Sequence, residues 1–443
     1  MAVYSIIQKF KLEGSNRLDA EYYQPEYLKI RENIKNIGFF NFGDIIVSFC
    51  SGKNLKQTEE NNSIKFIRTQ NVRPIIIDSD GMSFTQEKIY PELNYGDLLF
   101  VRVGEGVGNS SVVTKSFENS TFSDNVIRIK IQNVNPFYVS VLLNSKIGDL
   151  LMEQIKKGSA RSLISRENLN SLQIPKINYE QQIYFEKAIN QSEKLMLESE
   201  KIYSQAEDLL LEELGLKNYK SISELWSVID LSETQKMNRI DAEYFQPKYQ
   251  IIIKKIKNNS RYLGELATLK KGFEPGSEEY QEKGKLFIRV SSISKDGITD
   301  KDQKYLKDDL YNKLKKDYEP KVGEILLTKD ASPGIAYAVK EPIEGIVAGG
   351  VLRLKVKENI ETEYIALVIN SLVGQSQVER DAGGSVIAHW KPDQVKQLLV
   401  PILPKSTQQK IAELVRQSHE ARKKAKELLE EAKRKVEEMI DKR

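Results

Sequence analysis

Two stretches of the chain carry apolar residues that alternate by three and four positions, with no Pro or Gly to interrupt them. In residues 180–214 the positions are Phe185, Ile189, Ser192, Met196, Ser199, Tyr203, Ala206, Leu210 and Glu213. In residues 407–440 they are Ile411, Val415, Ser418, Arg422, Ala425, Leu429, Ala432, Val436 and Met439. This spacing is a heptad seam with small and polar interruptions, of the kind two helices bury against each other. At 1.5 Å rise per residue either stretch makes a rod of about 50 Å. Elsewhere the apolar runs are short. IKFIRT (64–69), PIIID (74–78), DLLFVRV (97–103), SSVVT (110–114) and NVIRIKI (125–131) are β-branched segments separated by Gly, Asn and Asp, and they predict strands. Residues 136–154 and 363–380 return to helical spacing. The pattern predicts an α+β protein with strand-rich bodies, a few short helices and two long ones.

The same pattern occurs twice. NRLDAEYYQPEY (16–27) recurs as NRIDAEYFQPKY (238–249), identical at nine of twelve positions. In the same order, FIRTQNV (66–72) lies over FIRVSSI (287–293), GDLLF (96–100) over GEILL (323–327), and NVIRIK (125–130) over GVLRLK (350–355). FYVSVLLNSKIG (137–148) then lies over EYIALVINSLVG (363–374), and GSARSLISRENLNSLQIP (158–175) over GSVIAHWKPDQVKQLLVP (384–401). A period this long is too large for a solenoid unit, so the chain holds two domain-sized copies of one fold. The expected division is a first body with its leading framework segment at 1–179, a helix at 180–217, a second body at 218–405 and a last helix at 406–443. Residues 181–217 hold four Lys or Arg against eight Asp or Glu, and residues 408–443 hold eleven against eight. Opposite signs beside a shared seam favour pairing the two helices with each other, antiparallel as a duplicated chain folds back. The expectation is two bodies, related by a pseudo-twofold, held apart by an antiparallel coiled coil.

Composition narrows the class. Forty per cent apolar and 29% charged residues are the proportions of a globular protein. Apolar runs such as VSVLL (139–143) fall far short of the roughly 18 residues of a membrane span. The start, MAVYSIIQKFK, has too short an apolar run for a secretory signal. Cys50 is the single cysteine, which excludes an internal disulfide and fits a reducing compartment, so a cytoplasmic protein without membrane partners is expected. The net charge of +4 decides little, and residues 264–393 balance 20 basic against 22 acidic side chains. Any nucleic-acid surface must therefore come from placement of charge.

Motifs for catalysis are scarce. Gly104-Glu105-Gly106-Val107-Gly108 resembles a phosphate loop, but a strand rather than a helix follows it, which predicts a hairpin. His389 and His419 are the only histidines, too few for a nucleophile relay or a zinc site. No Walker loop, methyltransferase motif or nuclease core is found, and the copies share no acid, base or metal set. The chain is expected to do no chemistry and to hold no metal or cofactor of its own. Recognition remains, and two similar bodies suit double-stranded DNA, whose bases are read by Arg, Lys, Asn, Gln and Ser presented from loops and strand ends. The first copy offers Lys53, Arg68, Gln70, Asn71, Arg73, Arg102, Arg161 and Ser162. The second offers Lys270, Lys271, Arg289, Ser291, Ser292, Lys329, His389 and Lys391. The copies agree in their framework and diverge at 49–63 against 270–285 and at 160–166 against 386–392. Divergent loops on a common frame predict two different half-sites, hence an asymmetric bipartite target.

The doubled D-A-E-Y-[YF]-Q-P stretch resembles the specificity subunits of type I restriction–modification systems. So do the G-[DE]-[IL]-L strand before a Gly loop and the G-S…P block running into Gln181-Gln182 or Gln408-Gln409 and a long helix. The resemblance spans essentially the whole chain. It implies two target recognition domains, each reading half of a split DNA sequence, and a coiled coil that sets the spacer and docks methyltransferase subunits, two in number. It further implies that S-adenosylmethionine, ATP and Mg²⁺ belong to partner subunits: the methyltransferase, and a restriction subunit that translocates and cleaves DNA. Two other readings stay open, an autonomous DNA enzyme with a disguised site and a coiled-coil scaffold joining two protein-binding modules. The doubled stretch sits before the divergent loops, so it reads as framework or partner docking rather than as a base reader.

Overall fold

The computed structural model describes residues 5–7, 20–58, 63–88, 90–103, 106–156, 166–220, 226–281, 283–299, 302–357, 359–382 and 388–441. The chain divides into two compact units, Met1–Met196 with Lys423–Arg443, and Leu197–Arg422.

In the first unit, helix α1 (Pro25–Ile37) starts at a proline, whose fixed φ suits the first helical turn. Strands β1 (Phe39–Asn41), β2 (Ile46–Ser51), β3 (Ile64–Ile67), β4 (Ser83–Thr85), β5 (Leu98–Val101), β6 (Ser110–Val112), β7 (Thr121–Phe122) and β8 (Val126–Ile131) follow. Helices α2 (Pro136–Leu143) and α3 (Lys146–Lys156), strand β9 (Gln173–Pro175) and the long helix α4 (Tyr179–Glu213) complete the order. The sheets run β2-β8-β5-β6, β4-β3-β7 and β1-β9. β5 and β6 pair antiparallel, with Gly108 N–H on Val101 O at 3.2 Å, so a hairpin forms as expected, although Gly104 and Glu105 lie outside the described residues. PIIID is not a strand. Ile75 takes φ +72°, and its N–H and C=O are spent on Ser110 and Val112 at the sheet edge, which bends the segment. The helical pattern at 136–154 breaks in two at Asn144-Ser145, where Asn144 Nδ2 turns back to Ser140 O at 2.7 Å.

The second unit repeats this order. After α5 (Leu231–Met237) and α6 (Pro247–Ile256) come β10 (Ser260–Tyr262), β11 (Ala267–Lys271), β12 (Lys285–Ile288), β13 (Ile293–Ser294), β14 (Gly297–Ile298) and β15 (Lys304–Leu306). Then follow α7 (Asp308–Tyr318), β16 (Glu324–Thr328), β17 (Ala336–Ala338), β18 (Gly345–Val347), β19 (Val351–Val356), α8 (Thr362–Asn370), α9 (Leu372–Asp381), β20 (Leu399–Pro401) and α10 (Lys405–Asp441). Its sheets, β11-β19-β16-β17, β15-β12-β18 and β10-β20, match the first unit strand for strand, and the hairpin β13-β14 is added.

One buried ion pair recurs. Arg128 Nε bonds Asp97 at 2.6 Å in the first unit, and Arg353 bonds Glu324 through two nitrogens at 2.8 and 2.9 Å in the second. Arg353 also donates to Asp317 O at 2.6 Å, and its side chain is 5% exposed. Arg353→Ala strands a buried carboxylate and should cost about 3–5 kcal/mol, whereas replacing both partners by apolar residues of similar volume should cost far less. Thermal unfolding of the two variants checks this, and equal losses would contradict it.

The long helices are built into the units' cores. Phe185 and Ile189 pack in the first unit with Leu429, Ala432, Val436 and Ile440. Tyr203, Ala206 and Leu210 pack in the second with Ile411 and Val415. Met196 is half-buried. Within the first unit Tyr184 meets Glu431 and Ser192 Oγ donates to Ala425 O at 2.9 Å, so the helices run antiparallel there. Within the second unit Ser418 Oγ donates to Ser199 O at 2.8 Å. The small interruptions of the seam are thus hydroxyls bonded to the facing backbone, where larger side chains would force the helices apart. His419 is half-buried beside the rings of Tyr203 and Tyr337, and the loss of water around it pushes its pKa down to about 3.

The aromatics of the doubled stretch are packing material. Residues 16–19 lie outside the described residues, but Tyr22, Tyr23 and Tyr27 are buried, and Gln154 of α3 donates to Tyr22 O at 2.9 Å. In the second copy Asp241 holds Arg239 at 2.6 and 2.8 Å, and the guanidinium lies 4.4 Å over Tyr244. Arg380 of α9 covers the same ring at 4.9 Å.

Candidate nucleic-acid interface

Strands β2 and β5 both run antiparallel to β8, so their C-terminal ends meet at one edge of the first unit. Four backbone bonds knit that edge: Gly52 N to Val126 O (3.3 Å), Lys53 N to Phe122 O (3.1 Å), Ser123 N to Ile67 O (2.9 Å) and Arg102 N to Asn125 O (2.9 Å). The second unit makes the same four, Gly272 N to Val351 O (3.2 Å), Phe273 N to Val347 O (2.8 Å), Ala348 N to Ile288 O (2.9 Å) and Lys329 N to Gly350 O (3.0 Å). Each edge needs its glycine. A Cβ on Gly52 would lie 2.0 Å from Phe122 O, and one on Gly272 would lie 2.1 Å from Ala348 O.

One backbone scaffold therefore carries two sets of side chains. Lys53 corresponds to Phe273, Arg68 to Arg289, Arg102 to Lys329, Ser123 to Ala348 and Asn125 to Gly350. In the first unit Lys53 and Arg102 are exposed, and neither they nor half-buried Arg68 form an ion pair among the described residues. In the second unit Arg289 bonds Asp302, Lys329 bonds Asp330, and Lys271 holds Glu274 at 2.8 Å. Lys270, exposed near the end of β11, adds a cation beside them. The first edge is the more basic of the two.

Not every sequence candidate reaches an edge with a free polar group. Asn71 is fully buried, accepts from Arg68 N at 3.1 Å and donates to Asp78 O and Asp80 O. Ser292 is its counterpart, fully buried and bonded to Arg289 N at 3.3 Å. These two side chains hold the turns that aim Arg68 and Arg289. Gln70 donates to Gly81 O at 3.0 Å, and Arg73 stands 4.0 Å from Asp78. Ser291 is exposed in the turn after β12, and exposed Lys391 precedes the helical turn Pro392–Lys396. Arg161 and Ser162 lie outside the described residues. Residues 388–390 run beside 329–331, with Ala331 N on Ala388 O at 3.0 Å and Trp390 N on Lys329 O at 2.8 Å, and this brings His389 to the second edge. Sequence reasoning missed Asp330, Ser123 and Asn125. The offset between GDLLFVRV and GEILLTKD puts Asp330 directly after the Arg102 counterpart, which was the available signal.

Residues 255–433 match the family model described as "Type I restriction modification DNA specificity domain". These residues belong to that family. They include the whole second strand-end edge, from Lys270 to Lys391, and the first unit repeats the domain's strand order around an equivalent edge. None of the curated proteins matches the chain. Among solved structures, the chain is similar to the type I restriction–modification S subunit from M. genitalium, at 13% identity over 91% of this chain and 94% of that one, with a TM-score of 0.40. It is also similar to the HsdS subunit from Thermoanaerobacter tengcongensis, at 13% identity over 91% and 95%, with a TM-score of 0.29. A type IIG restriction endonuclease, BpuSI, aligns over 45% of this chain and 35% of its own at 11% identity, with a TM-score of 0.30. Among the described residues, no helix is long and apolar enough to cross a membrane.

Proposed function

We propose that the chain is the DNA specificity subunit of a type I restriction–modification complex, in which each unit reads one half-site of an asymmetric bipartite target. The observation that carries this reading is the duplicated edge: the same four backbone bonds build an edge that holds Lys53, Arg68 and Arg102 in one unit and Arg289 and Lys329 in the other, where the pairing of 388–390 with 329–331 adds His389. A common scaffold with exchanged side chains is what reading two different sequences requires, since base edges are distinguished by donor and acceptor pattern. The specificity-domain match over 255–433 supports the DNA assignment for the second edge.

In this reading the helices α4 and α10 set the unread spacer and offer docking surface to methyltransferase subunits, two per chain. Those subunits bind S-adenosylmethionine and methylate adenine. A restriction subunit with ATP and Mg²⁺ acts through the same complex, and the specificity chain itself performs no chemistry. Soluble partners and a cytoplasmic location follow from that assignment. The test is to express the chain with its cognate methyltransferase and map methylated adenines genome-wide. A split motif, two short defined sequences flanking an undefined spacer, is the expected result. Methylation without sequence preference, or none when the methyltransferase is supplied, would favour the protein-binding scaffold instead.

A further inference from the structure

We infer that His389 reads an exocyclic amino group, cytosine N4 or adenine N6, in the half-site bound by the second unit, with Asp330 fixing the ring so that it can. The inference rests on the proposed function and goes further, to the chemistry of one base contact.

His389 Nδ1 lies 2.9 Å from Asp330 Oδ1. A carboxylate only accepts hydrogen bonds, so Nδ1 carries the proton, and Nε2 is the nitrogen left to present a lone pair. Asp330 is held in its charged form by its surroundings. Burial pushes its pKa up, but the hydrogen bonds from Lys329 and His389 and the charge of Lys329 outweigh this and hold it below the ordinary carboxylate range. The Lys329 side chain is only 11% exposed and bonds the other carboxylate oxygen, so its charge is spent inside the edge. The His389 side chain, by contrast, is 58% exposed, and its backbone bridges Asp330, so the ring stands at the end of β16 on the strand-end edge. The order is a buried lysine holding a carboxylate, the carboxylate orienting an imidazole, and the imidazole offering one acceptor outward.

In the major groove only cytosine N4 and adenine N6 donate hydrogen bonds, while guanine and thymine present acceptors there. A lone-pair acceptor therefore selects an amino-bearing base and rejects guanine and thymine. The first unit has nothing equivalent among its described residues, because the position of Lys329 is taken by Arg102, an exposed donor suited to guanine.

The experiment maps methylated adenines for the full chain expressed with its methyltransferase, as wild type and as His389→Ala, His389→Gln, Asp330→Asn and Arg102→Ala. In the wild type one position of one half-site is cytosine or adenine. His389→Ala relaxes that position alone, reducing the preference by about 10- to 100-fold. His389→Gln restores it in part, since the amide oxygen also accepts. Asp330→Asn weakens the preference at the same position, and Arg102→Ala alters the other half-site. A split wild-type motif that His389→Ala leaves unchanged, or lowers uniformly at every site, overturns the inference while leaving the proposed function standing. So does relaxation at a guanine or thymine. A wild type without a split motif overturns both.

Discussion

Gly272→Ala should unfold the strand-end edge of the second unit. The added Cβ would sit 2.1 Å from Ala348 O and 2.4 Å from Val347 O, backbone atoms that cannot move aside without breaking the bonds that join the end of β11 to β18 and β19. Close approach rather than φ makes this glycine obligatory. Losses above about 4 kcal/mol come from a short list of causes, and a side chain forced into backbone is one that strand separation alone relieves. Gly323→Ala is the control. That glycine has φ +85°, and a Cβ added there would have no atom within 4 Å, so alanine meets only the left-handed backbone penalty of about 1–2 kcal/mol. Hydrogen exchange in β11 and β19 reads the difference locally. Gly272→Ala should expose those amides and erase one half of the methylation motif, while Gly323→Ala should do neither. Equal exchange in the two variants would contradict the argument.

The fold was legible wherever a periodic apolar pattern had room to repeat. Four of the five predicted strands of the first copy form, and both long helices start and stop within two residues of the heptad pattern. PIIID failed because Pro74 and the positive φ of Ile75 turn a β-branched run into a bend, and period alone cannot report a dihedral. The heptad pattern reads as a spacer between the bodies, and Phe185 and Tyr203 also belong to the units' own cores. A seam position looks the same in sequence whether it faces a partner helix, a body or both.

The site was less legible, for a physical reason. Lys53, Arg68, Arg102 and Lys329 could be named from type and matched position. What separates an available side chain from a committed one is hydrogen bonding across sequence distance. Asn71 spends itself on Asp78 and Asp80, and Lys329 on Asp330, which in turn orients His389 from 59 residues away. Those commitments are set by which strand ends meet. The sequence shows the duplicated strands but not the edge they share.

Inserting one heptad between Met196 and Leu197 and another between Arg422 and Lys423 should lengthen the unread spacer of the target and leave both half-sites unchanged. The insertion points are the boundaries between the two units along α4 and α10. Contacts that seat the first body on α4 lie before them, through Glu186, Asn190 and Glu193, and those of the second lie beyond, through Tyr203 on α4 and Arg416 and Arg422 on α10. Seven residues preserve the alternation of three and four, so the apolar seam continues through the insert. They add about 10 Å of helix, close to three base pairs of B-DNA at 34–36 Å per turn. In the proposed function the strand-end edges fix the bases read, and the insertion does not touch them. Lengthening α4 alone is the informative control. The bonds of Ser192 to Ala425 and of Ser418 to Ser199 fix the pairing of the two helices on either side of the insertion points, and one longer helix cannot keep both. That variant should lose methylation rather than acquire a new spacer. Methylation-site sequencing distinguishes the outcomes: altered half-site bases with an unchanged spacer in the doubly extended chain would mean that the helices help read the DNA and do not measure it.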